Sequence, residues 1–155
     1  MNPSLLSASE TELATLLIPV SGRQLILPNV TVAEIIPFVE PQLEDDVPTW
    51  FLGRFTWRSQ QIPLISFEAI NEEPFLSQHR QRRIAVLNGL VGDQLPFCGI
   101  VTEGAPRLMR VMPDEIVNDE SQSVGPAEIA RVVVSGEPAA IPNVEFIQQQ
   151  MIKLL

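Results

Sequence analysis

Fourteen prolines are distributed along the 155 residues of this chain, and they restrict the folds that it can adopt. They make up about 9% of the residues, nearly twice the share of roughly 5% that is usual in globular proteins. The intervals between them often match one short strand and its turn. Because proline lacks a backbone N–H and breaks helix interiors, this spacing is poor for long helices. It is typical of a sandwich or barrel of many short strands, and we predict an all-β fold.

Between the prolines, short apolar segments alternate with turn residues. Ser21-Gly22 and Gly136 are hairpin-type turn signals, and Asn88-Gly89 and Gly92-Asp93 lie between two further segments. The predicted strands are Leu16–Val20, Gln24–Leu27, Val30–Val39, Arg54–Arg58, Gln61–Phe67, Arg83–Leu87, Leu95–Thr102, Arg107–Val111, Ile129–Val134 and Ala139–Ile141. Most of these strands follow one another as antiparallel pairs.

Two segments have the features of helices. Pro48–Leu52 is predicted to form a single turn before Gly53, and Val144–Leu155 places apolar side chains on one face at helical spacing. We interpret that apolar stripe as a surface that packs on the body of the protein, with a free partner-binding helix as the alternative. Asn71–Gln81 is predicted to be a connector, and Pro113–Pro126 is predicted to be an exposed acidic loop.

The length of the chain allows one domain, or two small lobes that share a core. We expect residues 1–13 to be a loose lead-in and residues 14–155 to form a single domain. Within that domain the expected lobes span roughly residues 14–70 and 83–143, with room for some exchange of strands between them. Residues 144–155 are expected to form the C-terminal helix.

The net charge of −9 argues against partners that are polyanions, because nucleic acid would be repelled by the overall field. The most basic stretch, His79–Arg83, has three arginines with no interleaved aromatic residue, so we interpret it as a solvated loop. Neither a signal peptide nor an apolar run of the roughly 20 residues that a membrane span needs is visible. We therefore predict a cytoplasmic protein that associates with a membrane only through a partner.

Groups that could perform catalysis are few in this sequence. It has one histidine and one cysteine, and it lacks glycine-rich phosphate loops. Cys98 lies in an apolar run and is interpreted as a buried hydrophobe, with a nucleophile as the alternative. The acidic pairs lie in segments predicted to be loops, where solvated carboxylates are favoured over a general acid. We therefore predict no enzyme activity, no metal site and no cofactor.

Three segments carry a specific pattern in order along the chain. Within Phe51–Phe67, a Leu-Gly, a Trp-Arg and an Ile-Pro-Leu-Ile motif follow one another. Gln24–Ile36 precedes this segment and includes Val-Ala-Glu-Ile, and Phe97–Ile116 follows it and begins Phe-Cys-Gly-Ile-Val. Together the segments resemble the CheW family of chemotaxis adaptors, over roughly residues 14–145.

The resemblance implies two small five-stranded barrels of SH3-like type, packed on a common core and followed by a C-terminal helix. It also implies a non-catalytic adaptor that couples methyl-accepting chemoreceptors to a CheA-type histidine kinase. In the family, the cytoplasmic tip of the receptor binds in a groove between the barrels, and a second face engages the regulatory domain of the kinase. Such an adaptor is recruited to membrane receptor arrays through its partners.

The resemblance further assigns a receptor-binding site. Apolar positions line the groove and would accept an amphipathic helix. The arginine of the Trp-Arg motif meets an acidic receptor residue, a role that suits the bidentate geometry of guanidinium with carboxylate. The expected receptor-binding residues are Val32, Glu34, Arg58, Ala105 and Leu108.

Alternative roles exist for these residues. Val32 and Leu108 are also compatible with the core, and Arg58 with an internal pair to Glu34. Trp57 is interpreted as a core residue rather than an interface anchor. Gly53 is expected to serve a turn, since glycine adopts positive φ at little cost.

The sequence departs from the family pattern at several places. Ser59 replaces the turn glycine, Ser66 replaces an acidic residue, and Ala105–Arg107 reverses a charge at the expected receptor site. These departures indicate a divergent paralogue, for which a pilus or surface-motility pathway is a hypothesis. An SH3-like peptide-binding module outside chemosensory arrays is the alternative function, although such modules use aromatic residues and this chain has no tyrosine.

Overall fold

A computed structural model describes residues 11–74 and 81–155 of the chain. In these ranges it has eleven strands, two α-helices and two 3-10 helices, which span Asn29–Thr31 and Pro113–Glu115. The strands are β1 (Leu13–Val20), β2 (Arg23–Pro28), β3 (Val32–Pro37), β4 (Phe51–Trp57), β5 (Gln60–Ile65), β6 (Arg83–Asn88), β7 (Phe97–Thr102), β8 (Arg107–Val111), β9 (Ile116–Asn118), β10 (Glu128–Val134) and β11 (Glu137–Pro142); the helices are α1 (Phe67–Ile70) and α2 (Val144–Ile152). The predicted all-β fold with a C-terminal helix is confirmed.

The strands form two sheets. The first, here called the terminal sheet, has the strand order β8-β1-β2-β11-β10-β9, and the second, the central sheet, has the order β3-β6-β7-β5-β4. The predicted antiparallel pairs β1–β2, β4–β5, β6–β7 and β10–β11 are all present. Turn residues between consecutive strands made these local pairings predictable, even for β6 and β7, which residues 89–96 separate.

The sheets divide the chain differently from the expected lobes of residues 14–70 and 83–143. The terminal sheet joins β1 and β2 to β8 through β11, whereas the central sheet contains the continuous stretch from β3 to β7. This happens because β1 pairs with β8 along its second edge, and β2 pairs in parallel with β11 through Leu25 and Ala140. One lobe therefore combines residues 13–28 with 107–142, and the other spans residues 32–102.

Alternating side chains give each sheet an apolar core and a common core between them. On β1, Leu17 belongs to the cluster inside the terminal sheet, while Ile18 belongs to the common cluster. This is the two-residue period of a strand with both faces buried. The common cluster also contains Val144, Ile147 and Met151 of α2. The apolar stripe of the C-terminal helix therefore packs on the body of the protein, as interpreted.

Three local predictions differ from the structure. The segment Pro113–Pro126 is not entirely loop, because β9 lies within it and pairs with β10 at the edge of the terminal sheet. Pro48–Leu52 does not form the predicted helical turn. Instead, a hydrogen bond from the Phe51 N–H to the Pro48 carbonyl, at 3.0 Å, closes a non-helical turn. Strand β1 begins at Leu13, inside the expected lead-in.

Two further predictions fall partly outside the described residues. Residues 1–10 of the expected lead-in lie outside them, and so do residues 75–80 of the connector, which include His79. Within the connector and just before it, the described part shows α1 followed by a turn. In the ranges that the structure describes, no helix combines the length and apolar character needed to cross a membrane.

Arg58 and Ser59 form the two-residue turn between β4 and β5. Their φ angles are +47° and +65°, so both occupy the left-handed region. Two-residue hairpins favour such turns because their twist matches that of the strands, and they usually place glycine or asparagine there. The serine at the position where the resemblance predicts a turn glycine therefore keeps the turn geometry at a conformational cost.

We expect Ser59→Gly to raise the free energy of unfolding by roughly 0.5–1 kcal/mol. The left-handed region costs a non-glycine residue about 1–2 kcal/mol, and the greater freedom of glycine in the unfolded chain offsets part of that gain. Urea unfolding would measure the change. Ser123→Gly, at an exposed loop position without positive φ, should give no gain. Equal effects at the two positions would contradict this explanation.

Candidate functional site

An apolar strip runs along the junction of the two sheets. Leu108 on β8 lies directly opposite Leu16 on β1, and its side chain is 54% exposed. Leu16 and Val32, the first residue of β3, both pack against the common core while remaining only partly buried. The sheets therefore bring apolar side chains from β1, β3 and β8 to their junction. Leu108 is not a core residue, and Val32 belongs to the core only in part.

Glu34, Trp57 and Arg58 form a polar cluster across the open side of the central sheet. Oε1 of Glu34 accepts hydrogen bonds from Nε1 of Trp57 at 2.9 Å and from Nη2 of Arg58 at 3.3 Å. The guanidinium carbon of Arg58 also lies 4.6 Å from the centroid of the Trp57 ring. Because β3 and β4 are the two edge strands of this sheet, the cluster links one edge to the other.

The cluster has one buried member, Trp57, and one accessible member, Arg58. Trp57 is only 5% exposed and packs edge-to-face on Phe97, so its interpretation as a core residue is confirmed. The Arg58 side chain is 65% exposed, and its pair with Glu34 is a surface ion pair. Such pairs contribute roughly 0–1 kcal/mol. Arg58 is therefore held in place by weak contacts, and most of its surface is available to a partner.

Ala105 lies in the exposed segment that leads into β8, three residues before Leu108. Next to it, Nη2 of Arg107 donates hydrogen bonds to both carboxylate oxygens of Glu137, at 2.7 and 2.8 Å. The positive charge of Arg107, where the resemblance predicts an acidic residue, is thus paired with Glu137 of the same chain. Ala105 and Leu108 belong to the terminal-sheet side of the candidate site, whereas Glu34 and Arg58 lie on β3 and on the turn after β4.

Gly53 does not lie in a turn. It is inside β4, at a bulge where its pairing with β5 shifts by one residue, and its φ is +134°. The backbone of Gln42 runs antiparallel beside the strand here and bonds with Arg54 in both directions, at 2.7 and 3.0 Å. Positive φ is the reason expected for this glycine, but the feature that requires it is a bulge beside the antiparallel bridge to Gln42.

Leu16 of this strip and Val30, two residues before Val32, were not predicted to be accessible apolar residues. Leu16 was assigned to a strand, and only its cross-strand partner shows that it lies beside Leu108. Val30 is 82% exposed in the 3-10 helix that precedes β3. A valine in a β-branched run is read as a strand residue, so its exposure could not be found from the sequence.

Several buried polar groups outside this cluster are engaged in structural contacts. Glu128 is buried between Arg131 and Arg23, and Oδ1 of the buried Asn71 accepts a hydrogen bond from the Ala127 N–H at 2.9 Å. Burial raises the pKa of the Cys98 thiol to about 12, so the reactive thiolate is disfavoured. Among the described residues, no group of three or more histidine, cysteine, aspartate or glutamate side chains could hold a metal ion.

The two sheets, the common core and the exposed apolar strip define a two-barrel β protein whose candidate site is suited to binding another protein. The chain belongs to the family of CheW-like domains, since the model of that family matches residues 14–150. The structure is similar to that of the scaffolding protein TtCheW from Thermoanaerobacter tengcongensis, with a TM-score of 0.75 and 12% sequence identity over 88% of each chain. No curated protein sequence gives a significant match.

Proposed function

We propose that this protein is a non-catalytic adaptor that couples chemoreceptors to a CheA-type histidine kinase. Membership of the CheW-like domain family supports this role. The observation that carries it is the exposure of Leu108 beside Leu16 at the junction of the two sheets. An apolar strip of this kind suits the amphipathic helix at the cytoplasmic tip of a chemoreceptor.

In this proposal, Val32, Ala105 and Leu108 provide the apolar contacts, and Arg58 contacts an acidic residue of the receptor. Glu34 orients Arg58 by accepting its hydrogen bond. A second face binds the regulatory domain of the kinase, and the adaptor is a cytoplasmic protein that reaches membrane arrays through its partners. The adaptor then acts only through its binding contacts, and it transfers no proton or phosphoryl group. The output is either flagellar chemotaxis or pilus-driven surface motility.

An SH3-like peptide module outside chemosensory arrays is less well supported. Such modules bind extended proline-rich peptides in grooves lined by aromatic side chains. This chain has no tyrosine, and of its two tryptophans Trp57 is buried beneath Arg58. The accessible strip is aliphatic instead.

The first experiment is a calorimetric titration of the protein with the regulatory domain of the CheA-type kinase from the same organism, and then with a receptor-tip fragment. We expect micromolar or tighter binding to the kinase domain and saturable binding to the receptor tip. Folded components that bind in neither titration would contradict the proposed function.

Leu108→Asp should weaken receptor binding roughly tenfold or more, because a charge would replace an apolar contact. Arg58→Ala should weaken it by a smaller factor, about two- to tenfold, since exposed charges at an interface contribute less. Both variants should keep the unfolding midpoint of the original protein. Leu43→Asp, at an exposed leucine in the loop before β4, is the matched control and should bind normally. Unfolding of Arg58→Ala would show that this arginine is structural.

A further inference from the structure

One end of the terminal sheet opens into an apolar pocket at the point where β1 begins. Its volume is about 430 Å³, and its lining comes from the start of β1, the end of β2, and single residues of β9 and β11. Leu13, Ile26, Ile116 and Ile141 belong to this lining. Leu13 is 39% exposed, so part of the apolar wall is in contact with water. A further apolar group that entered the pocket would cover it.

The pocket offers little to a polar ligand. The hydroxyl of Thr15 already donates a hydrogen bond to the Met109 carbonyl at 2.7 Å. The carboxylate of Glu12, at the rim, lies 3.9 Å from Nη1 of Arg110. Because a polar group loses its hydration on entering an apolar pocket without gaining a partner, the occupant must be apolar where it enters.

The pocket lies on the opposite face of β1 from the strip at the junction. Adjacent residues of a strand point to opposite sides, and Leu17, on the same side as Leu13 and Thr15, belongs to the cluster inside the terminal sheet. Leu16, by contrast, packs against the common core and pairs with Leu108. The receptor helix proposed for the strip therefore does not account for an occupant of the pocket.

The N-terminal segment of the chain joins β1 at the rim of this pocket. Residues 1–10, which lie outside the described residues, are followed after one further residue by Glu12. They contain an adjacent apolar pair, Leu5-Leu6, between short stretches of small and polar residues. The five residues that separate this pair from Glu12 span at most about 20 Å when fully extended. The leucine pair is therefore confined to the neighbourhood of this end of the terminal sheet.

We propose that the pocket receives the side chains of Leu5 and Leu6 of the same chain, so that the N-terminal segment closes this end of the terminal sheet. A group attached through a short linker has an effective concentration in the millimolar range, well above that of a free partner at micromolar concentration. Only the leucine pair needs a fixed position, and the polar residues before Glu12 serve as a tether, which limits the conformational entropy lost on docking. The docked pair keeps the pocket closed to other apolar ligands until it is displaced.

Disulfide formation between two introduced cysteines measures this contact in the full chain. Ser7→Cys leaves both leucines in place, and Val30→Cys is at the pocket lining, where Val30 is 82% exposed. The native Cys98 is buried and its pKa is raised to about 12, so it does not compete in thiol exchange. We expect this pair to oxidise at least about tenfold faster than Ser7→Cys with Val117→Cys. Val117 is exposed, but it points to the opposite side of β9 from Ile116.

A second control places the cysteine on the strip, as Ser7→Cys with Leu108→Cys. Faster oxidation there than at position 30 would assign the segment to the strip and overturn the proposal. Equal rates at all three positions would also overturn it, because they would show a tether without a preferred contact. Disulfide-linked dimers as the main product at position 30 would assign the pocket to a second copy of the chain and overturn it as well.

The leucines themselves are tested by Leu5→Asp with Leu6→Asp, compared with Ser4→Asp with Ser9→Asp, which adds the same charge. Because each buried leucine favours docking by roughly tenfold or more, the first double variant should remove the rate advantage at Val30→Cys, and the second should keep it. Oxidation that is equally fast in both would mean that the leucines do not enter the pocket.

The neutral apolar dye Nile red reports whether the pocket is closed. Its fluorescence titration should show binding about tenfold or more tighter in the variant with both leucines replaced than in the wild-type protein. The variant with both serines replaced should bind the dye as the wild-type protein does. A wild-type protein that binds Nile red as tightly as the leucine variant would have an open pocket, and the proposal would be wrong.

Discussion

Gly53→Ala is expected to lower the free energy of unfolding by at least about 3 kcal/mol. A Cβ at this position would lie 2.1 Å from the carbonyl oxygen of Gln42 and 2.8 Å from its carbonyl carbon. Because both are backbone atoms, the bridged segment at Gln42 must move and give up its two hydrogen bonds with Arg54. The φ of +134° adds backbone strain for any other residue. Urea unfolding followed by circular dichroism would measure the loss.

Gly136→Ala provides the matched control for this effect. Gly136 has a φ of +81°, yet no atom lies within 4 Å of the position of its Cβ. The substitution should therefore cost only the left-handed backbone conformation, about 1 kcal/mol. Similar losses at both glycines would mean that the close approach of Gln42 contributes nothing.

Glu128→Gln is expected to lower the free energy of unfolding by roughly 3 kcal/mol. The carboxylate of Glu128 is fully buried and accepts hydrogen bonds from Nε of Arg131 at 2.8 and 2.9 Å and from the N–H of Gly125 at 2.8 Å. Nη1 of Arg23 lies 3.8 Å away. An amide keeps the shape of the side chain but leaves Arg131 without its counterion and Arg23 with that of Glu73 alone, which is costly when the arginines are largely buried.

The environment of Arg23 strengthens this expectation. Burial lowers its pKa, but the hydrogen bond and charge of Glu73, with the charges of Glu128 and Glu68, raise the pKa overall. Arg23 therefore remains charged at any working pH, and it cannot adapt to the loss of Glu128 by releasing a proton. Its Nε is buried without a hydrogen-bond partner, so the guanidinium is already incompletely solvated.

Glu137→Gln is the control for the loss of a carboxylate at the surface. Glu137 holds Arg107 with two short hydrogen bonds, but both side chains are substantially exposed. Its replacement should cost less than about 1 kcal/mol. If Glu128→Gln cost as little, the buried carboxylate of Glu128 would not stabilise the contact of β10 with Arg23 on β2.

The parts of the fold that depend on neighbouring residues in sequence could be predicted. Turn residues such as Ser21-Gly22 join strands that are already close, so their antiparallel pairing follows. The partnership of β1 with β8 could not be found this way, because both are apolar strands with several equivalent partners. Strand β9 has only three residues and lies among acidic ones, and its apolar pattern is too short to show a period.

The candidate site likewise has parts that could be predicted from the sequence and parts that could not. Glu34 and Arg58 were expected near one groove through resemblance, and the structure places them in direct contact. Their role toward a receptor stays a prediction. Leu16 and Val30 were missed because their exposure depends on how the two sheets meet, which no local pattern encodes. The constraint on Gly53 was missed in part, since Gln42, whose backbone packs against it, lies eleven residues away in the sequence.

The interleaved order of the strands also sets the sequence of events during synthesis. All strands of the central sheet have been synthesised once residue 102 leaves the ribosome. At that point β1 and β2 still lack the partners that residues 107–142 supply. A lone two-stranded hairpin is only marginally stable in water. The β1–β2 hairpin is therefore expected to stay without its further partners in the nascent chain while the central sheet is already complete. That sheet holds residues 32 and 102 in a fixed relation and so shortens the effective loop between Leu16 and Leu108. We therefore expect the central lobe to form first and to bring the strands of the terminal lobe together.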